Sequence, residues 1–289
     1  VLPEGRRNNK VSIAFGLLKQ DFRLHKICIK YSPDILVGTS TEITHIGRLL
    51  KIPSLFLNED DIDVIPLIGK FAYPFAQHIL TPNICRVGKY ESKKIGYESY
   101  HELAYLHPNH FTPDRLIVEK YFILRLAQLK AHHDDNINGI NSHIVIKLLD
   151  LLKTYGNVYI TSERELEPEL EPYRIDINPI DMHHMLSFAE IFIGDSQTMA
   201  AEAAVLGVPF IRFNDFVGRI SYLDELENKY QLGYGIKTDK VDLLYKKVEE
   251  LLQMPNKGKV FQKRRKKMLS EKIDYSAFLI WFIENYPKI

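Results

Sequence analysis

Cysteine, tryptophan and net charge are all scarce in this chain of 289 residues. Its two cysteines, Cys28 and Cys85, lie far apart and form no CxxC pair, which argues against a disulfide framework and against a zinc site. A formal net charge of +1 gives no general attraction to nucleic acid. No apolar run approaches the roughly 18–20 residues needed to cross a bilayer. We therefore expect a cytoplasmic protein that holds no metal or cofactor and binds no nucleic acid.

A strand pattern is also missing from the start of the chain. The sequence opens with Val1, Leu2 and Pro3, without an initiator methionine, and residues 1–32 contain no clear strand. Either the true N-terminus is missing or processing has removed it, so we expect the N-terminal domain to be incomplete.

Short apolar runs alternate with helical patterns from Asp34 onward. Residues 35–38, 54–57 and 78–81 have the composition of buried strands. Residues 39–42 form a capping-box pattern at the start of a helix that extends to Leu50, and a further helix is expected at 64–76. Strands that alternate with helices need crossover connections, so this pattern predicts a parallel sheet.

The alternation resumes after residues 107–113, which contain two prolines and which we interpret as a linker. The expected domains are 1–112 and 113–274, followed by a final segment at 275–289 whose Trp281 we place in the core. Beyond the linker, strands are predicted at 121–129, 157–161, 191–194 and 210–213, and helices at 141–155, 181–189, 198–206, 222–232, 239–252 and 275–286.

The segment at residues 191–209 carries the clearest chemical signal. A buried strand leads directly into a helix, with Asp195 and Ser196 at the turn. The unpaired amides around Gln197 and Thr198 and the partial positive charge of the helix N-terminus suit an anion such as a diphosphate. Glu202 shares a helix face with Thr198, about 6 Å along the axis, where it can accept from two ribose hydroxyls. The alternative is that Ser196 only caps the helix and Glu202 is solvated.

The pattern Asp195-Ser196, Glu202, Gly207, Pro209 resembles the nucleotide-binding segment of the non-hydrolysing UDP-N-acetylglucosamine 2-epimerases. A related segment occurs in GT-B glycosyltransferases such as the N-acetylglucosaminyltransferase of peptidoglycan synthesis. In both groups a glutamate five residues before the glycine holds the uridine ribose, and the preceding turn holds the diphosphate. The chain departs from the epimerases at Gln197-Thr198, where they have two glycines.

The resemblance extends from about Pro33 to the C-terminus. Glu59 falls where the epimerases carry a catalytic glutamate, and His132 and His133 fall at the segment whose histidine contacts the nucleotide phosphates. Only one of the two histidines can face the site, because side chains alternate along a strand. The whole chain is similar to a prokaryotic family catalogued as domain of unknown function 354. The resemblance implies an α/β fold of GT-B type, with the N-terminal domain on the acceptor side, the C-terminal domain binding a nucleotide sugar, and the last helix crossing back.

Several other residues are candidates with a structural alternative. Arg212, within the strand at 210–213, and Arg219 flank Asp215, and these residues can contact sugar or phosphate or pair at the surface. His183 and His184 are interpreted as structural. Residues 257–267 form a basic run that is either a solvated helix face or a peripheral contact with an anionic membrane. Its charged members are Lys257, Lys259, Lys263, Arg264, Arg265, Lys266 and Lys267.

The resemblance implies a metal-independent, UDP-sugar-dependent glycosyltransferase in polysaccharide or glycoconjugate assembly, with a glycan or lipid-linked glycan as acceptor. Glu59 is the expected general base, although the acidic group that follows it can equally serve the helix dipole. A 2-epimerase is the first alternative. Thr39-Ser40-Thr41 stands where the epimerases have a catalytic aspartate, which weakens it. A non-catalytic nucleotide-binding protein is the second.

Overall fold

The chain forms two compact units, Val1–Tyr97 (unit 1) and Glu98–Ile289 (unit 2). The structure is a computed structural model that describes residues 10–127 and 139–286, with side chains from residue 15 onward. Within these ranges no helix is both long enough and apolar enough to cross a bilayer. Each unit contains a parallel sheet with its own buried core.

Unit 1 contains a four-stranded parallel sheet in the order β1-β2-β3-β4. The strands predicted at 35–38, 54–57 and 78–81 are confirmed, whereas the helix predicted at 64–76 is only a short α3. The elements of unit 1 are α1 (Lys10–Tyr31), β1 (Leu36–Gly38), α2 (Thr41–Leu50), β2 (Ser54–Leu57), α3 (Pro66–Phe71), β3 (His78–Pro82), a 3-10 helix (Gly88–Lys93) and β4 (Lys94–Tyr97).

The core of unit 1 lies where α1, α2 and the sheet pack together. Cys28 of α1, Ile46 of α2, Phe56 of β2 and Ile79 of β3 are all buried in one apolar cluster. Helix α2 begins after Ser40, one residue later than a capping box at 39–42 requires, and no side chain caps it, so the predicted capping box does not form. The helix starts because its apolar face packs on α1 and the sheet, which outweighs a cap of about 1 kcal/mol.

Unit 2 contains a five-stranded parallel sheet in the order β6-β5-β7-β8-β9. The four strands predicted in this part of the chain are confirmed, although the one predicted at 121–129 ends at Leu126 and residues 128–129 lie outside the described residues. Its helices are α4 (Leu103–Leu106), α5 (Ser142–Leu152), α6 (Met182–Ser187), α7 (Gln197–Leu206), α8 (Ser221–Asp224), α9 (Val241–Gln253), α10 (Lys257–Glu271) and α11 (Tyr275–Asn285), and its strands are β5 (Tyr121–Leu126), β6 (Asn157–Ser162), β7 (Phe192–Gly194), β8 (Phe210–Phe213) and β9 (Gly233–Ile236).

Two edge strands, β4 and β9, were missed by the sequence analysis. Both contain glycine, which lowers strand propensity and resembles a turn signal. The structure explains the glycine in β9, because a Cβ at Gly233 would lie 2.3 Å from the Phe210 ring of the neighbouring strand. The helix predicted at 222–232 is also divided: α8 is followed by a π-helix at Glu225–Lys229.

The units divide after Tyr97, upstream of the boundary that the sequence analysis placed at residue 112. The reason is a set of contacts between the start of unit 2 and the segment before α11. Ile273 N donates to Glu98 O at 2.8 Å, and Ser99 Oγ donates to Ile273 O at 2.6 Å. The proline-rich segment is therefore part of unit 2, where Asn109 donates to Asp274 at 2.9 Å.

Helix α11 packs on α4 within unit 2 and buries Tyr275 and Phe282. The expectation that Trp281 is a core residue is wrong, since 53% of it is exposed. An apolar helix offers more than one apolar face, and the sequence does not show which of them packs.

Candidate functional site

The strand order of unit 2 reverses direction between β5 and β7. From β5 the chain adds β6 on one side and then β7, β8 and β9 on the other. Ligands of open parallel sheets bind outside the carboxyl ends of the strands at such a switch point. Gly194, the last residue of β7, pairs in register with Arg125 of β5. The turn after β7 therefore lies at the position that topology alone marks for a ligand.

Helix α7 begins at this turn. Ser196 is its N-cap, with an extended backbone and a side chain that accepts from Met199 N at 3.4 Å. The first backbone bond into the turn comes from Ala200 N to Ser196 O, so the amides of Gln197 and Thr198 have no acceptor within the helix. Thr198 is exposed and Gln197 half-buried. The helix tip can thus receive an anion.

Glu202 is a buried carboxylate on this same helix, with 7% of the residue exposed. The hydroxyl of Tyr105 donates to Glu202 Oε1 at 3.0 Å, and His183 Nε2 lies 2.9 Å from the same oxygen. The neighbours of Glu202 along α7 are alanines and other apolar residues, almost all buried. A charge in such surroundings needs hydrogen-bond partners, so Glu202 is not the solvated residue of the structural alternative.

Aromatic rings surround this carboxylate. The Tyr105 and His183 rings lie 5.4 Å apart, and Phe111 packs edge-on against His183 at 6.3 Å. Tyr105 is 41% exposed, so the cluster reaches the surface of unit 2. It therefore combines a fixed acceptor with accessible ring faces.

Asp195 has a different place from the one expected of a phosphate contact. It is fully buried, and its carboxylate accepts from Ala127 N at 2.6 Å and from Ile140 N at 3.2 Å. Burial raises the pKa of Asp195, and these two backbone hydrogen bonds oppose the rise. We therefore revise its role: Asp195 ties the backbone near the ends of β5 and α5 to the helix tip.

The role expected of Arg212, a contact with sugar or phosphate, is also revised. It is fully buried, and its Nε donates to Glu227 Oε1 at 2.9 Å. Its Nη2 lies 2.8 Å from the same oxygen. Burial raises the pKa of Glu227, and Arg212 opposes the rise. This residue is one half of a buried ion pair rather than a sugar or phosphate contact.

Asp215 and Arg219 remain near the turn after β8. The Asp215 carboxylate accepts from the hydroxyl and the amide of Thr238, which joins the turns after β8 and β9. Arg219 is exposed and its guanidinium lies 5.2 Å from the centre of the Phe216 ring. Of the two, Arg219 has the exposed charge that a substrate contact requires.

No family model and no curated protein sequence matches the chain. Solved structures do resemble it: S. aureus MnaA with UDP (12% identity, TM-score 0.63, 93% of this chain and 78% of that one) and the Methanocaldococcus jannaschii UDP-GlcNAc 2-epimerase with UDP-GlcNAc and UDP (14%, 0.54, 88% and 80%). A third is the spinosyn rhamnosyltransferase SpnG with thymidine diphosphate (12%, 0.60, 95% and 79%).

The chain has the GT-B fold. Sequence identities this low establish the fold only. The reaction must be inferred from the residues of the site. The predicted fold class is therefore confirmed, whereas the resemblance to domain of unknown function 354 stays a prediction.

The acidic group of unit 1 follows β2, at the carboxyl edge of the GT-B protein's first sheet. Glu59 is half-buried, and its carbonyl oxygen lies 2.9 Å from Cys85 Sγ. Asp61 is fully buried and accepts from Arg86 N at 2.8 Å. Burial raises the pKa of Asp60 and the neighbouring Asp61 adds to the rise. Asp60 thus has one property of a general base that the sequence analysis did not detect.

A cleft of about 480 Å³ in unit 1 lies away from these acids. Ser54 and Gln77, at the starts of β2 and β3, contribute to its wall, together with Lys51 and Lys93. It is therefore at the amino edge of the sheet, and ligands of parallel sheets bind at the opposite edge. We do not include it in the candidate site.

His132 and His133 lie outside the described residues, so their predicted contact with phosphate stays a prediction. Within the described ranges, no group of three histidine, cysteine or acidic side chains is placed to hold a metal ion.

The basic run falls on α10, and part of it serves the fold. Lys257 lies 3.1 Å from Glu190, and Arg264 and Arg265 donate to backbone carbonyl oxygens at 2.8 and 2.7 Å. The remaining four lysines of the run are all exposed on α10. They are Lys259, Lys263, Lys266 and Lys267.

Two residues of the Glu202 cluster escaped the sequence analysis. His183 was interpreted as structural, and Tyr105 was not singled out at all. The contact of Tyr105 with Glu202 spans 97 positions of sequence. A pattern of neighbouring residues in the sequence cannot predict a contact over such a distance.

Proposed function

We propose that the chain is a metal-independent glycosyltransferase that uses a nucleotide sugar, with a UDP-linked N-acetylhexosamine as the donor class. It would act in polysaccharide or glycoconjugate assembly, on a glycan or lipid-linked glycan. The observation that supports this most is the buried Glu202 carboxylate, held on the helix whose N-terminus lies at the topological switch point. The GT-B fold supports the same class by analogy.

The donor binds through two parts of α7. Its diphosphate occupies the helix tip, near Ser196 Oγ and the amides of Gln197 and Thr198, and its ribose hydroxyls donate to Glu202. During transfer the acceptor oxygen forms a bond to the sugar C1, and the bond from C1 to the diphosphate breaks. Negative charge then grows on the departing diphosphate. The amides and partial positive charge of the helix tip stabilise it.

The acceptor hydroxyl must lose a proton in this reaction. Glu59 stays our proposed base, and Asp60 is its competitor because burial already raises the pKa of Asp60. Turnover of Glu59→Gln and Asp60→Asn distinguishes them. We expect the larger loss, roughly 100-fold or more, in Glu59→Gln. A larger loss in Asp60→Asn would transfer the role to that residue.

An epimerase is the first alternative function. The structure places Thr39 and Ser40 directly after β1, with Ser40 at the start of α2, so no carboxylate follows the strand there. This favours transfer over epimerisation. Incubation with UDP-N-acetylglucosamine and product analysis by NMR decides the matter: the 2-epimer indicates an epimerase, and binding without any product indicates a non-catalytic protein.

Peripheral contact with an anionic membrane belongs to the same proposal, since it suits a lipid-linked acceptor. The four exposed lysines of α10 are its basis. Sedimentation with vesicles of phosphatidylcholine, with and without phosphatidylserine, is the measurement. We expect binding only with phosphatidylserine, and weaker binding by Lys263→Glu/Lys267→Glu. Equal binding by this variant would remove α10 from the contact.

Calorimetry with UDP tests the nucleotide site itself. Glu202→Gln should lower the affinity roughly tenfold or more, because two hydroxyls lose a charged acceptor. Glu249→Gln, an exposed change on α9, is the matched control and should leave the affinity unchanged. Equal affinities of wild type and Glu202→Gln would refute the assignment of Glu202 to the site.

A further inference from the structure

The two donors that contact Glu202 meet at one oxygen. Tyr105 and His183 both bond to Oε1, at 3.0 and 2.9 Å. An ionised carboxylate offers about four acceptor sites, two on each oxygen. Tyr105 and His183 therefore occupy the two acceptor sites of Oε1, and Oε2 can still accept hydrogen bonds from a ligand. Within the described part of the chain, no residue donates to Oε2.

The helix geometry indicates which way the Glu202 carboxylate, and with it Oε2, is oriented. Side chains on a helix tilt toward its N-terminus, so the Glu202 carboxylate leans toward the turn at Ser196, where the switch point lies. Tyr105 approaches from the segment of α4 and His183 from α6. Two donors from separate elements restrict the rotation of the carboxylate, which a single partner would not do.

We propose that Tyr105 and His183 are positioning residues that present Glu202 Oε2 to the 2′- and 3′-hydroxyls of a ribonucleoside diphosphate, and that this arrangement excludes 2′-deoxyribonucleotides. The inference rests on the proposed nucleotide site and adds its selectivity for the pentose. It assigns functions to two residues that sequence analysis did not place in the site.

Selectivity follows from the cost of an unpaired acceptor. With UDP, both hydroxyls donate to the oxygen that the two residues leave available. With 2′-deoxyuridine diphosphate, one hydrogen bond to a buried charge is not made, and little water can replace it beside a residue that is 7% exposed. A site built to bind a hydroxyl rejects the analogue that lacks it. We expect a preference of roughly 10-fold to 100-fold for the ribonucleotide.

The test compares UDP with 2′-deoxyuridine diphosphate by calorimetry on the whole chain. In Tyr105→Phe and in His183→Phe the carboxylate loses one of its two donors and turns more freely. The affinity for UDP should then fall, that for the deoxynucleotide should change little, and the ratio of the two should fall at least about threefold. His183→Gln, which keeps an N–H donor, should retain most of the wild-type ratio.

Tyr155→Phe is the matched control, since it removes an exposed tyrosine hydroxyl beside the start of β6. If wild type does not bind UDP, the proposed function itself fails. If wild type binds UDP but Tyr105→Phe and His183→Phe keep the wild-type ratio, the positioning role is wrong and the nucleotide site stands. Equal binding of both nucleotides by wild type would overturn the selectivity.

Discussion

The carboxyl edges of the two sheets share one feature, a buried aspartate that bonds a loop, and differ in another, the order of their strands. Each unit places a fully buried aspartate after a strand and uses it to bind the backbone of a neighbouring loop: Asp61 accepts from Arg86 N, and Asp195 accepts from Ala127 N. The order of the described strands of unit 1 runs in one direction, whereas that of unit 2 reverses between β5 and β7. Only the second arrangement opens a crevice at the edge.

The two units also differ in whether their acidic side chains have a cation beside them. In unit 2, Arg212 faces Glu227, and Lys272 lies 2.8 Å from Glu225. In unit 1, no described residue forms an ion pair with Asp60, although burial raises its pKa. Asp60 therefore differs from Glu225 and Glu227 in having no described cation beside it, although each unit also holds a fully buried aspartate, Asp61 near Arg86 and Asp195 bonded to backbone amides.

The Arg212–Glu227 pair should give the largest effect. Arg212→Met leaves the Glu227 carboxylate buried without its cation, so we expect the free energy of unfolding to fall by about 3–5 kcal/mol. The double variant Arg212→Met/Glu227→Leu should recover most of this loss. Guanidinium unfolding followed by circular dichroism measures both. A double variant as unstable as the single one would show that packing, not charge, governs the position.

The two buried aspartates give the next effect and test the comparison directly. Asp195→Asn keeps one acceptor oxygen for two backbone amides, so we expect a loss of about 1–3 kcal/mol. Asp61→Asn keeps an acceptor for Arg86 N and removes the charge that faces a guanidinium 55% exposed to solvent, so we expect a smaller loss, about 1 kcal/mol. Urea unfolding of both variants is the measurement. An equal loss in both would erase the difference between the two edges.

Asp60→Asn should act in the opposite direction and stabilise unit 1. A carboxyl whose pKa is raised on folding disfavours the folded state once it is ionised, so stability falls as the pH rises from the ordinary aspartate range through the raised pKa. The gain from Asp60→Asn is therefore expected at neutral pH and should vanish near pH about 3. Unfolding midpoints at both pH values measure it; a gain independent of pH would point to packing.

The exposed lysines of α10 give the smallest effect. Lys259→Ala should change the free energy of unfolding by less than about 0.5 kcal/mol. Arg265→Ala, on the same helix, removes a donor to Val205 O and should cost about 1 kcal/mol. Thermal unfolding of the pair is sufficient. Equal losses would mean that the exposed lysines stabilise the fold more than their surroundings indicate.

The sequence predicted what short-range patterns encode. Alternating apolar runs located most strands, and the cap residues Ser196 and Gly207 bound α7 as expected, Gly207 with a φ of 75°. The glycine-containing edge strands β4 and β9 escaped because their fit depends on the neighbouring strand. The site was predicted only in part for the same reason. Glu202 is visible as the one charge on an apolar helix, but its partners Tyr105 and His183 come from other elements.

The roles of Asp195 and Arg212 show a further limit. Asp195 directly follows β7 and Arg212 lies one residue before the end of β8, where a ligand contact is a reasonable expectation. Whether such a side chain faces the ligand or the interior depends on what is packed behind it. For Asp195 that is two backbone amides, and for Arg212 it is Glu227.

The contacts between the beginning and the end of unit 2 constrain its synthesis. Ser99 bonds to a residue 174 positions later, and Lys272 reaches back to Glu98 at 3.0 Å. Chains emerge from the ribosome from the N-terminus at about 5–20 residues per second, and domains fold as units. Glu98 and Ser99 must then wait roughly 9 to 35 seconds for these partners. During this interval β5, β7 and β8 can already pair, so we expect the segment before α11 to dock on Glu98 and Ser99 late in the folding of unit 2.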